Sequence, residues 1–126
     1  MKSIFELEYT LNSSPKVLFS RLSTAEGLSE WFADDVIVNG DDYIFVWDDI
    51  EYKARLVQLR DNKHVRFKWL DPEEEEERYF EFKLSIDELT GDVALLITDF
   101  AEDDEKEDAI YLWDTQITDL KRVIGL

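Results

Sequence analysis

Residues 103–126 read DDEKEDAIYLWDTQITDLKRVIGL, and the spacing of their apolar side chains decides the fold. Ile110, Trp113, Ile117, Leu120 and Ile124 recur three and four apart, so they form one stripe along a helix of about five turns. Asp103, Asp104, Glu105, Glu107 and Asp108 crowd the start of this segment, and Lys121 and Arg122 lie near its end. That order of charge complements the helix dipole. A helix with a single apolar stripe must bury it against another element, and the upstream residues supply the surface.

Between Val36 and Phe100 the pattern changes to alternation. Val36 and Val38 precede Asn39-Gly40, a hairpin turn that needs positive φ, and Tyr43, Phe45 and Trp47 alternate beyond it. Asp48-Asp49 marks the next turn. Tyr52, Ala54 and Leu56 alternate with Lys53 and Arg55, and after an Asp61-Asn62 turn Val65, Phe67 and Trp69 alternate with Arg66 and Lys68. A two-residue turn there sets Leu56 opposite Phe67, Ala54 opposite Trp69 and Arg55 opposite Lys68. Asp71-Pro72 ends the strand, and Glu73 to Glu77 form a solvated acidic loop. Phe80, Phe82, Leu84 and Ile86 resume the inward alternation; a Thr90-Gly91 turn follows, and Val93 to Ile97 is apolar on both faces.

At the other end, Phe5, Leu7, Tyr9 and Leu11 alternate with Glu6, Glu8 and Thr10, which is a strand with one buried face. Ser13-Ser14-Pro15 then opens a short helix through Val17, Leu18 and Leu22. Ser23 or Thr24 caps a second, which carries Leu28, Trp31 and Phe32 on its apolar side. The expected class is α+β. A curved antiparallel sheet wraps around a long C-terminal helix, with two short helices after the first strand, in one domain over residues 1–126.

Composition narrows the function. With 126 residues and 44% hydrophobic content the chain can bury a single core despite a net charge of -17. That charge repels phosphates and anionic head groups, so neither nucleic acid nor membrane insertion is expected, and a macromolecular partner would be basic or apolar. No apolar run approaches the roughly 20 residues of a membrane span, and the N-terminus lacks a signal-peptide core; the expected location is cytoplasmic. The absence of cysteine excludes disulfides, thiolate metal sites and cysteine nucleophiles.

The segment from Ser14-Pro15-Lys16-Val17-Leu18-Phe19 through Thr24-Ala25-Glu26-Gly27-Leu28-Ser29-Glu30-Trp31-Phe32 resembles the opening of START-like (SRPBCC) helix-grip proteins. Within that superfamily it is most similar to homologues of the heat-shock-protein ATPase activator, which share a Pro-led helix, a Thr-containing turn and a Trp-Phe pair. Trp113 with Ile117, Leu120, Lys121 and Ile124 is similar to the closing helix of that family. Members often carry Gly just before the helix Trp, where this chain has Tyr111-Leu112. The resemblance implies a sheet gripping the last helix, often with a cavity for a lipid, a polyketide or another small apolar molecule.

Catalytic chemistry finds little to work with. His64, the sole histidine, stands two residues past the Asp61-Asn62 turn on the outward parity opposite Leu59, and reads as a surface residue without a nucleophile placed beside it. Asp41-Asp42 and Asp48-Asp49 serve turns. Asp99, Glu102, Asp103 and Asp104 lack the spacing of a calcium loop, so no metal or other cofactor is expected. Lys53, Arg55, Arg66 and Lys68 form an outward basic patch that pairs with carboxylates such as Glu81.

The residues expected to bind a ligand are Trp31, Phe32, Phe67, Trp69, Phe82, Trp113 and Ile117, with Thr98 and Gln116 as polar groups. The leading expectation is a non-enzymatic binding domain for a small hydrophobic ligand between the sheet and the last helix. The alternatives are a protein-interaction or co-chaperone-like adaptor acting through its acidic or apolar surface, and an enzyme of the aromatase or cyclase kind.

Overall fold

The computed structural model describes residues 2–74 and 76–126. The chain runs β1 (Ser3–Thr10), α1 (Pro15–Ser23), α2 (Ala25–Leu28), β2 (Asp35–Asn39), β3 (Asp42–Trp47), β4 (Ile50–Arg60), β5 (His64–Trp69), β6 (Tyr79–Ile86), β7 (Val93–Ala101) and α3 (Lys106–Ile124). All seven strands join one antiparallel sheet in the order β1-β7-β6-β5-β4-β3-β2. Helix α3 lays its stripe on the inner face, with Trp113, Ile117 and Leu120 buried and Ile110 and Ile124 half-buried. This is the expected helix-grip architecture.

Local chemistry fixes the element ends. Pro15 occupies the first turn of α1, whose cap is Ser14, its Oγ accepting from the Val17 N–H. Thr24 caps α2 by accepting from the Gly27 N–H at 3.0 Å. Helix α3 ends at Gly125, in the left-handed region at φ 82°, with its N–H returned to the Arg122 carbonyl. The Asp48-Asp49 turn has positive φ at both residues, as a two-residue hairpin turn requires. In the preceding hairpin Asn39 pairs with Asp42, so Gly40 takes the first central position with φ 64°.

The β4–β5 hairpin differs from its expected form in two places that cancel. Its loop holds three residues, Asp61, Asn62 and Lys63, with Asn62 at φ 62° and His64 paired with Arg60. A bulge at Val57 then absorbs the extra residue on β4. Beyond it Leu56 faces Phe67, Arg55 faces Lys68 and Ala54 faces Trp69, the pairing that a two-residue turn without a bulge would also produce.

On the outer sheet face His64 is largely covered rather than free on the surface. Its Nε2 contacts Glu81 Oε1, which also accepts from Arg66 Nη2 at 2.9 Å. Burial pushes the Glu81 carboxyl up, but hydrogen bonds from His64 and Arg66 outweigh it and hold the group below the usual range. The rest of the basic patch is mostly paired: Arg55 with Asp42 and Lys68 with Glu77.

Glu73, Glu74, Glu76 and Glu77 are exposed but not purely solvated. Glu74 pairs with Lys2 and Arg78. Glu75, the middle of that run, lies outside the described residues.

Candidate ligand cleft

The inner face is filled by rings at its centre and left open at one end. Phe32, delivered by the turn after α2, is the hub. Its ring lies 5.3 Å from Phe45, 5.1 Å from Trp47, 5.1 Å from Phe80 and 5.7 Å from Trp113. Edge-to-face and offset contacts of this kind add to the burial of the rings. Where β3 ends, β4 begins, β5 ends and β6 begins, the packing stops short of the N-terminal half of α3. A cleft of about 920 Å³ remains.

Phe32, Phe80, Trp69 and Trp113 line the cleft, together with Trp47 and Tyr52 from the β3–β4 hairpin and Leu112 and Gln116 from α3. Asp48, Glu51, Lys53, Asp71 and Arg78 also border it.

Three donors of this surface are tied to the protein. Trp47 Nε1 and Gln116 Nε2 both donate to the Phe32 carbonyl, at 2.8 and 2.9 Å. Trp113 Nε1 donates to Asp99 Oδ2 at 2.9 Å. Asp99 follows Leu95 and Ile97 on the inward parity of β7, so its carboxylate faces the apolar side of the sheet. Burial raises its pKa, against the opposing effects of the Trp113 N–H, the Phe100 backbone, Arg78 and Lys2.

Of the nine residues expected from the sequence, Phe32, Trp69, Trp113 and Gln116 line this cleft. Trp31, Phe67, Phe82 and Ile117 instead belong to the closed part of the core. Trp31 is fastened there by its indole N–H, which donates to the Arg21 carbonyl at 2.7 Å. Thr98 lies on the outer face, paired with Glu6 and Glu81, because alternation turns it away from Ile97 and Asp99.

Sequence reasoning did not select Trp47, Tyr52, Phe80, Leu112 or Asp99 for the site. The alternation of Phe80 and Trp47 shows their face but not their end of the sheet. Asp99 had a readable signal: a carboxylate at an inward position, in step with Leu95, Ile97 and Ala101.

Among the described residues, no helix is long and apolar enough to cross a membrane, and no three His, Cys, Asp or Glu side chains are grouped to hold a metal ion.

Comparison with known proteins agrees with this fold. No curated protein matches the chain. The solution structure of BfR322 from Bacteroides fragilis is 44% identical, covering 97% of this chain and 90% of that one, with a TM-score of 0.68. The Aha1 dimer from Colwellia psychrerythraea shares the fold at 18% identity and a TM-score of 0.82, covering 97% of this chain and 96% of that one. CalU16 from Micromonospora echinospora does so at 11% identity and a TM-score of 0.71, covering 98% and 75%. The sequence model of the START-like superfamily domain matches residues 1–126. The chain belongs to the START-like superfamily.

Proposed function

We propose that this protein is a non-enzymatic binding domain that holds a small hydrophobic molecule between its sheet and α3. One observation carries the reading: a cleft of about 920 Å³ walled by indole and phenyl rings, with charged side chains along its border. Small-molecule sites have this size and character. The non-enzymatic part draws on the commitments of the polar groups. The one histidine is engaged with Glu81 on the outer sheet face, and Asp99 and Gln116 are hydrogen-bonded to the walls of the cleft.

The test is a panel of fatty acids, fatty alcohols and polycyclic aromatic compounds, read by tryptophan fluorescence and melting temperature. Trp47, Trp69 and Trp113 line the cleft, so an occupant changes their emission. It also raises the melting temperature with the logarithm of its concentration. A panel that shifts neither signal overturns the proposal.

A second reading, docking of a partner protein, draws on Tyr111 and Leu112, adjacent on α3 and 74% and 58% exposed. It gains support if ligands fail and a partner is lost on changing both residues.

A further inference from the structure

The charge of the ligand is written into the cleft. Three of its hydrogen-bond donors, on Trp47, Gln116 and Trp113, are already spent on protein acceptors. What else it offers an occupant is aromatic faces, acceptor atoms and the donors of Tyr52, Lys53, Trp69 and Arg78. The faces of Trp47, Trp69 and Phe80 carry negative electrostatic potential, which attracts cations and repels anions.

Asp99 adds a formal negative charge on the apolar side of the sheet. Arg78 and Lys2 influence it, but among the described residues neither forms an ion pair with it. Arg78 is turned to Glu74, 3.0 Å away. Including Asp99, four carboxylates border the cleft, Asp48, Glu51, Asp71 and Asp99, against two bases, Lys53 and Arg78.

Resting on the ligand-binding reading above, we propose that the cleft selects cationic amphiphiles, in which an organic ammonium group lies over the Trp and Phe faces near Asp99 and an apolar body fills the remainder. The rival occupant is an anionic amphiphile. Its head group would rely on Arg78, whose Nε is buried without a partner among the described residues. An anion reaching Arg78 would enter the field of Glu74, which holds Nη2, and of the four carboxylates. The same field attracts a cation.

The experiment uses the full chain and three probes of matched body: 4-phenylbutyltrimethylammonium, 4-phenylbutanol and 5-phenylpentanoate. Affinities are measured by calorimetry at about 0.15 M salt, where charges more than about 8 Å apart are largely screened. The ammonium compound is expected to bind about tenfold tighter than the alcohol, through cation–π attraction and the carboxylate together. The carboxylate compound is expected to bind more weakly than either. Asp99→Asn, which keeps an acceptor for Trp113, should bring the ammonium to within about threefold of the alcohol, because only the charge is removed.

Should that variant fold poorly, Asp48→Asn with Glu51→Gln tests the same field. It should cost the ammonium about threefold and the alcohol nothing. Equal affinity for the three probes, tighter binding of the carboxylate, or an ammonium affinity indifferent to the folded variants overturns the charge preference while leaving a ligand cleft in place. If the alcohol and both ions all fail to bind, the ligand-binding reading falls with it.

Discussion

The indole N–H of Trp113 donates to Asp99 Oδ2 at 2.9 Å, which ties the first half of α3 to the end of β7. The bond closes one side of the cleft, and it gives the closing helix a polar anchor beside its apolar stripe. A buried carboxylate is costly unless it is hydrogen-bonded, and here the helix supplies the donor.

Trp113 therefore contributes in two separable ways. Trp113→Ala should destabilise the fold by about 3–5 kcal/mol, the usual loss for a large buried ring. Trp113→Phe keeps most of the apolar contact with Phe32 and Phe82 and loses only the donor, so it should cost about 1.5–3 kcal/mol, the range for a hydrogen bond to a charged group. Denaturant titrations measure both. A loss below about 1 kcal/mol for the alanine variant would contradict the placement of the ring.

Two carboxyls respond to pH with opposite sign. Glu81 is held below its unfolded value. Its contribution is therefore present above the unfolded pKa of about 4.3 and is lost as pH falls through the folded pKa. Asp99 is raised, so its ionisation weighs against the folded state at neutral pH, and that penalty is relieved as pH falls through the raised pKa. Urea titrations should show Glu81→Gln less stable than the parent at neutral pH and Asp99→Asn more stable. Both differences should shrink in acid. Differences that stay constant with pH would refute the assignment of either carboxyl.

Much of this fold is legible in the sequence because its elements announce themselves. The α3 stripe, the Ser14 and Thr24 caps, the Asp48-Asp49 turn and the inward alternation of β1 and β3 to β6 all appear in the structure where the residues place them. The site is less legible for a geometric reason. Alternation tells which face a ring lies on, but Phe67 and Phe80 share a face, and only Phe80 reaches the open end. Which end of the sheet is left uncovered depends on how α3 crosses it, a long-range property that local periodicity does not encode. The bulge at Val57 escaped for a related reason, since one inserted residue in the loop and one in the strand leave the downstream pairing unchanged.

Gly27 is another feature without a local signal. It is buried in α2, and a Cβ there would lie 2.1 Å from the Ser20 carbonyl oxygen and 2.6 Å from the Arg21 Cα, both backbone atoms of α1. Helix propensity favours alanine over glycine by about 1 kcal/mol. Overpacking against backbone typically costs about 1–3 kcal/mol, and at these distances α1 and α2 must separate. The clash should win. Gly27→Ala should lower stability in a denaturant titration, and a gain would show that the two helices part freely.

Leu112 separates the two functional readings. It is 58% exposed and lines the cleft, whereas its neighbour Tyr111 is 74% exposed and lies outside the lining. Exposed substitutions of this kind usually change stability by no more than about 0.5 kcal/mol, so Leu112→Glu and Tyr111→Glu should both fold. If the cleft holds an uncharged apolar ligand, Leu112→Glu removes an apolar wall and should weaken a fatty alcohol by about tenfold, within the 1.5–3 kcal/mol available from burying a leucine. Tyr111→Glu should leave that affinity unchanged. If α3 instead docks a partner, the pair forms one exposed patch and both substitutions should weaken the association to a similar degree. Parallel titrations of the two variants with the same alcohol, followed by tryptophan fluorescence, decide between them: a loss confined to Leu112→Glu places the ligand inside the grip of the sheet, and equal behaviour of the variants removes that assignment.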